Sequence, residues 1–193
     1  RAHRWRLVRN ALLALCLPLA SAPAGAAPQF QPPRAYATGV AAARLALGDL
    51  NGDARPDLVV ADSQTGIAVL MNQGDGRFGA AAVYSVGPLG NAIRGLALCD
   101  LDGDGLRDVA LARREFNPLG SAYLTVLRNT GGGVLGPRLD APVMPAAAIS
   151  SYTPAELSCA DLDGDGDRDL ATATSRLNEL GQPGFFSVVK NLG

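Results

Sequence analysis

Short, largely apolar stretches separated by turn-forming residues make up the chain after residue 26. Three of them are 44–47, 58–61 and 67–71, and glycine, proline, asparagine or aspartate stands between successive stretches. Apolar runs of this length between turn residues predict β-strands, and no segment in this part of the chain has a convincing helical period. The pattern therefore predicts an all-β fold with no significant helix after residue 26.

The same succession of apolar stretches occurs three times, each time around one acidic loop. The loops begin at Asp49, Asp100 and Asp161, so the pattern recurs after 51 and then after 61 residues. A glycine-rich turn follows the third stretch of the first two repeats, at 72–79 and 129–136, and predicts a hairpin into a fourth strand. Each repeat is therefore predicted to form four antiparallel strands, with the acidic loop joining the first two.

The segment before the first repeat looks like a fourth strand without the other three. Residues 30–39 have the same spacing of Phe, Tyr and Gly as residues 78–87. An N-terminal outer strand that completes a C-terminal blade is how β-propellers close their ring, which usually has ~4–8 blades. We expect further blades from a longer chain of which this sequence is a part, or from self-association, or else an array that stays open. The predicted boundaries are an outer strand at 28–39, repeats at 40–87 and 88–145, and an incomplete repeat at 146–193.

Residues 1–26 have the layout of a secretory signal peptide. A basic region at 1–9 precedes an apolar core at 11–20 and a segment rich in small residues at 21–27. The apolar core is too short to span a bilayer stably, although an uncleaved membrane anchor is the alternative. We therefore expect a protein that is secreted to the extracellular space or the bacterial periplasm, with the repeats in residues 27–193 and no membrane span in the mature chain.

The acidic residues are concentrated in the three loops. The formal net charge is −1, but without residues 1–26 only 13 of the 17 basic residues remain against 18 acidic ones, 12 of which lie in the loops. Carboxylates at alternate positions repel each other unless a cation neutralises them, and oxygen ligands of this kind suit Ca²⁺. The acidity is thus local, and no basic surface for nucleic acid is indicated.

The motif of the first repeat resembles a known family. Residues 48–53 and 56–60, followed by 69–72 and 74–78, resemble the FG-GAP/VCBS repeat, which builds the β-propeller of integrin α-subunits and occurs in many bacterial secreted proteins. The resemblance covers about residues 28–193. It implies a β-propeller of four-stranded antiparallel blades, about three of which are present here as a partial or truncated propeller. Ala54 departs from the pattern, because the family usually has glycine there.

The resemblance also implies a set of calcium ligands. Counted from the first aspartate of each loop, they are the side chains at positions 1, 3, 5 and 9 and the backbone carbonyl at position 7. We expect about three structural Ca²⁺ ions, which let the strands on either side of each loop pair. The implied ligands are Asp49, Asn51, Asp53, Arg55 and Asp57 in the first loop; Asp100, Asp102, Asp104, Leu106 and Asp108 in the second; and Asp161, Asp163, Asp165, Asp167 and Asp169 in the third.

Recognition of a ligand is expected on the face opposite these loops. There the connection between the second and third strands is longer in the second and third repeats than in the first. Its candidate contacts are Arg113, Arg114, Phe116 and Arg176, which would suit an acidic or carbohydrate ligand, unless these are ordinary variable loops.

The sequence favours a binding module over an enzyme. The only histidine, His3, lies in the signal segment, and the spacing of the acids outside the loops indicates no catalytic pair. We therefore expect a secreted, calcium-stabilised module for adhesion or ligand binding, whose partner is an extracellular protein or glycan. The alternatives are a non-catalytic domain of a larger secreted enzyme and a carbohydrate-binding lectin.

Two cysteines remain outside the signal segment. Cys99 precedes its acidic loop by one residue and Cys159 by two. On a strand this offset turns the two side chains to opposite faces. An oxidising compartment would allow a disulfide between them, but the offset favours two small buried residues.

Overall fold

A computed structural model describes six stretches of the chain: residues 30–63, 66–87, 92–114, 122–143, 152–176 and 185–193. The chain divides into two units, Arg1–Ala35 and Tyr36–Gly193. The described part of the first unit, residues 30–35, is exposed and has no regular structure. All the strands reported below belong to the second unit.

The first blade is a four-stranded antiparallel sheet. Its strands β1 (Ala42–Gly48), β2 (Asp57–Asp62), β3 (Gly66–Leu70) and β6 (Ala82–Ser85) pair in the order β1-β2-β3-β6. A two-stranded hairpin, β4 (Asn72–Gly74) and β5 (Arg77–Phe78), connects β3 to β6. The first acidic loop joins β1 to β2, as the sequence predicts.

The second blade repeats this order, and the described residues of the third form three strands. In the second, β7 (Ala92–Cys99), β8 (Asp108–Arg114), β9 (Ala122–Asn129) and β10 (Leu135–Pro142) pair in sequence. Two prolines lie in β10, which is the edge strand, where the missing N–H costs no ladder bond. In the third blade, β11 (Tyr152–Ala160), β12 (Asp169–Arg176) and β13 (Phe185–Val189) pair in the same way.

The predicted all-β class is confirmed. Within the described residues every regular element is a β-strand and every strand pair is antiparallel. In the same part of the chain no helix is long and apolar enough to cross a bilayer. The three sheets form a partial β-propeller.

The blades pack face to face because side chains alternate along each strand. We call the side of a blade that meets the next blade in the chain its forward face, and the opposite side its rear face. In the first blade Val59 and Val69 on the forward face belong to the same buried cluster as Leu98 and Val109 on the rear face of the second. In the second blade, the forward-face residue Leu124 packs in the same cluster as Leu157 and Leu170 of the third.

Gly95 lies where the second and third blades approach closely. A Cβ at this position would come within 2.8 Å of the Leu157 Cβ and 3.0 Å of the Ala112 Cβ. The register of β7 against β8 shifts at this residue, which is the usual place for a glycine in a strand. The blades can therefore pack at this distance only because residue 95 has no side chain.

A disulfide joins Cys99 of the second blade to Cys159 of the third. The expectation of two unlinked buried cysteines is wrong. The one-residue offset on which it was based nevertheless places the two side chains on opposite faces of their own sheets. Cys99 packs with the forward-face residues of its blade, and Cys159 lies on the rear face of the next blade. Because successive blades meet forward face to rear face, side chains on opposite faces of their own sheets point towards each other.

Candidate metal sites

Each acidic loop is folded around the carboxylate at its first position. In the second loop the N–H of Gly103 donates to one oxygen of Asp100 (2.8 Å) and the N–H of Gly105 to the other (2.9 Å). In the third loop Gly164 and Gly166 donate to Asp161 in the same way, at 2.6 and 3.1 Å. These bonds turn the loop back on itself, which brings the side chains at alternate positions together.

The first loop has the same geometry without the second glycine. Asp49 accepts from the N–H of Gly52 (2.8 Å) and of Ala54 (2.7 Å), and Ala54 therefore stands where the other loops have Gly105 and Gly166. Its φ is +63°, a left-handed conformation that costs a residue with a Cβ about 1 kcal/mol or more. Although desolvation acts in the opposite direction, backbone hydrogen bonds, Ala54 first, lower the pKa of Asp49 below its ordinary value.

Carboxylate oxygens converge in the second and third loops. One oxygen from each of Asp100, Asp102 and Asp104 lies within 4.8 Å of the other two. In the third loop the same holds for Asp161, Asp163 and Asp169. Three oxygen donors at this separation, with no nitrogen or sulfur among them, fit a hard divalent cation such as Ca²⁺.

The aspartate at the ninth position of each loop is fully buried and holds the blade together. Asp108 accepts hydrogen bonds from the N–H of Leu101 (3.0 Å) and of Asn129 (2.8 Å), one on each oxygen. Asp57 and Asp169 make the equivalent pairs of bonds in their blades. This residue therefore ties the acidic loop to the end of the third strand, a role that the ligand assignment alone did not predict.

An asparagine at the end of the third strand links neighbouring blades. The Asn129 Nδ2 donates to the Leu50 carbonyl in the loop of the preceding blade (2.7 Å), and the Asn191 Nδ2 donates to the Leu101 carbonyl (2.6 Å). Asn72 of the first blade instead donates to the Pro56 carbonyl of its own loop (2.9 Å). The recurrence of asparagine at these three positions was visible in the sequence, but its function depends on contacts between blades.

A basic side chain pairs with one carboxylate in each loop. Lys190 Nζ lies 2.7 Å from Asp163, Arg55 lies 2.6 Å from Asp53, and Arg128 pairs with Asp102. The hydrogen bond from Lys190 is the main reason that the pKa of Asp163 is lowered, and the same bond raises the pKa of Lys190. These basic side chains partly neutralise the loops. Each would have to separate from its carboxylate when that carboxylate binds a metal ion.

Repulsion among the acids remains visible at the buried position. Burial raises the pKa of Asp108, and the negative charges of Asp104 and Asp100 raise it further against the two backbone hydrogen bonds. A divalent cation between these side chains would oppose this repulsion. The residues of the second and third loops thus fit a calcium ion in both ligand type and charge.

Arg113, the first of the four residues predicted to contact a ligand, lies inside the second blade. Arg113 is buried, its Nη2 lies 2.9 Å from Asp140, its Nε donates to Thr125, and its guanidinium lies 5.6 Å from the centre of the Tyr123 ring. This arrangement gives Arg113 a role inside the second blade.

Arg114 is half-buried and its Nη1 lies 3.5 Å from the Thr153 hydroxyl of the third blade. Phe116 and the Arg176 side chain lie outside the described residues. The role of all four residues in ligand binding stays a prediction.

The fold and the repeated loops define a partial β-propeller whose blades each carry an acidic loop between their first two strands. The FG-GAP-like repeat family matches residues 49–111 and 100–172. These matches together cover more than half of the chain, and the chain therefore belongs to the FG-GAP-like repeat family. Among curated proteins no match was found.

Proposed function

We propose that the chain is a secreted, calcium-stabilised β-propeller module that serves in adhesion or ligand binding. The observation that supports the calcium role best is the convergence of three carboxylates within 4.8 Å in the second and third loops. Both clusters lie in the loops that join the first two strands of a blade. A cation there would act on the scaffold, since the N–H groups of the blade-linking asparagines Asn129 and Asn191 donate to Asp108 and Asp169 of these same two loops.

The loop side chains would hold the ion, and the ion would supply positive charge. Asp100, Asp102 and Asp104 offer carboxylate oxygens in the second loop, and Asp108, which also holds the third strand, is the fourth carboxylate that the family pattern implies. Neutralising these acids removes the repulsion that opposes pairing of β7 with β8. The first loop is the weakest candidate, because Asn51 replaces one carboxylate and Ala54 strains the turn.

Calorimetric titration with Ca²⁺ tests the assignment. Extracellular calcium modules have Kd values of roughly 0.1–1 mM or tighter, so we expect saturable binding in this range. The Asp104→Asn variant should weaken binding at one site, because the amide oxygen that replaces the carboxylate carries no negative charge. The Asp75→Asn variant, which changes an exposed carboxylate outside the loops, should bind like the parent chain. Binding that is unaffected by Asp104→Asn, or no binding at millimolar Ca²⁺, would contradict the proposal.

The recognition function rests on the family and on the position of the long connections. Members of FG-GAP-like families include adhesins, lectin-like proteins and accessory domains of secreted enzymes. Arg114 stands at the end of β8, where the connection to β9 begins, and is a candidate contact for an extracellular protein or glycan. A glycan array probed with and without Ca²⁺ separates a lectin from the other two classes, because only a lectin should give saturable signals there.

A further inference from the structure

The forward face of the third blade is apolar and exposed. Phe186 is 79% exposed, and Leu162 and Val188 are also exposed. The equivalent residues of the second blade are Leu101, Leu124 and Val126, which the third blade covers. The third blade therefore presents the same kind of surface that elsewhere in the chain receives another blade.

The rear face of the first blade is the complementary surface. Leu45 is 67% exposed, and Leu47 is exposed as well. Their equivalents in the second blade, Leu96 and Leu98, pack against the first blade. The chain thus exposes both surfaces of one kind of contact, forward face on rear face. This contact already joins the first blade to the second and the second to the third.

Tyr36, the first residue of the second unit, lies where the outer strand of a preceding blade would lie. The Tyr36 ring packs edge-to-face on Phe78 with centroids 5.5 Å apart, and its hydroxyl donates to the Gly76 carbonyl (2.9 Å). Tyr84 in β6 of the first blade reaches the hairpin of the second blade in a similar way, through the N–H of Leu135 (3.3 Å). Residues 36–38, however, belong to no strand.

The third blade has an edge that such a strand would fill. Among the described strands β13 pairs with β12 alone, whereas the equivalent β3 pairs with both β2 and β6. In the first blade Ile67 of β3 lies opposite Tyr84 of β6. Counting back from Asn72 and Asn191, Ile67 corresponds to Phe186. The register of the repeat therefore places Phe186 opposite a residue equivalent to Tyr84, which is Tyr36.

We propose that two copies of the chain pack head to tail, so that their described blades form one closed ring. The forward face of the third blade of each copy lies on the rear face of the first blade of the other, and the segment around Tyr36 adds to β13 across the interface. Asn72 then donates to the Leu162 carbonyl of the other copy, as Asn129 and Asn191 do to Leu50 and Leu101.

The described residues of two copies make six blades, which is within the usual range of ~4–8, and a head-to-tail contact whose rotation closes gives a ring. The association does not depend on the identity of any ligand.

Sedimentation velocity of the purified chain, with Ca²⁺ present, tests this association. We expect a dimer at micromolar concentration, since the contact repeats an interface of blade size. The Phe186→Asp variant should sediment as a folded monomer, because this side chain is exposed in a single copy. The Val134→Asp variant is the matched control: Val134 is 56% exposed on the hairpin of the second blade, and the dimer should persist. Asn72→Ala should weaken the dimer about tenfold.

Mixing two variants tests the predicted pair directly. Phe186→Asp and Tyr36→Arg should each weaken self-association, whereas their mixture should form a dimer with one oppositely charged pair and one unaltered interface. A parent chain that stays monomeric at about 100 µM would overturn the proposal. So would an open-ended polymer, a dimer that survives Phe186→Asp, or a mixture that associates no better than its components.

Discussion

Replacing Asn129 with alanine should destabilise the protein more than the same change at Asn72. Both asparagines stand at the end of the third strand and make two comparable bonds. Each amide donates to a carbonyl of its own loop, Arg107 (3.2 Å) or Pro56 (2.9 Å). Each side-chain oxygen accepts the N–H two residues later. Only Asn129 also donates to the preceding blade, at the Leu50 carbonyl.

The expected difference follows from that one bond. Two hydrogen bonds at about 1 kcal/mol each give a loss of about 2 kcal/mol for Asn72→Ala. Asn129→Ala loses these and also leaves the carbonyl of the fully buried Leu50 without this donor, which costs about 2 kcal/mol more. We therefore expect a loss of about 4 kcal/mol for Asn129→Ala.

Urea denaturation followed by circular dichroism measures both losses. The comparison is made in the Phe186→Asp background, so that no second copy can supply a partner to Asn72. Asn191→Ala, which removes the bond to the carbonyl of the half-buried Leu101, should cost about 2 kcal/mol. If Asn72→Ala and Asn129→Ala destabilise the protein equally within about 0.5 kcal/mol, the bond between blades is not a stabilising contact.

Three further changes test other parts of the structure. Asp140→Asn should cost about 2–3 kcal/mol at pH 7, because the side chain of Arg113 is 1% exposed and its pair with Asp140 loses the negative charge. Although burial acts in the opposite direction, hydrogen bonds from Thr125 and Arg113 lower the pKa of Asp140. The stabilisation should therefore be complete above the unfolded pKa of about 4 and disappear as the pH falls through the lower folded value, which denaturation at several pH values will show. Ala54→Gly should raise the melting temperature, with a gain of about 0.5–1 kcal/mol, since φ is +63° there, and no gain would show that the turn is unstrained. Replacing Cys99 and Cys159 with alanine should cost about 4 kcal/mol, because the disulfide links residues 60 positions apart. The double variant should also have a urea midpoint that no longer responds to reductant. An unchanged midpoint of the parent chain under reductant would contradict a stabilising role for this disulfide.

The strands and loops were predictable because their signals are local. The turn chemistry around Asp100 and Asp161 involves residues at most eight positions away, and the alternation that separates Val59 from Val60 marks the two faces of one sheet. The prolines of β10 are likewise a local signal, because proline within a sheet is confined mainly to edge strands.

The contacts between blades were not predictable in the same way. Asn129 donates to an atom 79 residues earlier in the chain, and nothing near Asn129 indicates that partner. The two cysteines show the same limit. Their offset correctly placed them on opposite faces, but only the stacking of successive blades brings Cys99 and Cys159 together. The buried bonds of Asp57, Asp108 and Asp169 likewise depend on where the third strand lies.

The most direct test of the central claim is the melting temperature in Ca²⁺ and in excess chelator. Two sites filled at a hundred times their Kd would stabilise the folded chain by about 5 kcal/mol, which corresponds to a shift of roughly 10 °C or more. We expect the chelator to lower the melting temperature by at least this amount and added Ca²⁺ to restore it. An identical melt under both conditions would contradict a structural role for calcium in these blades.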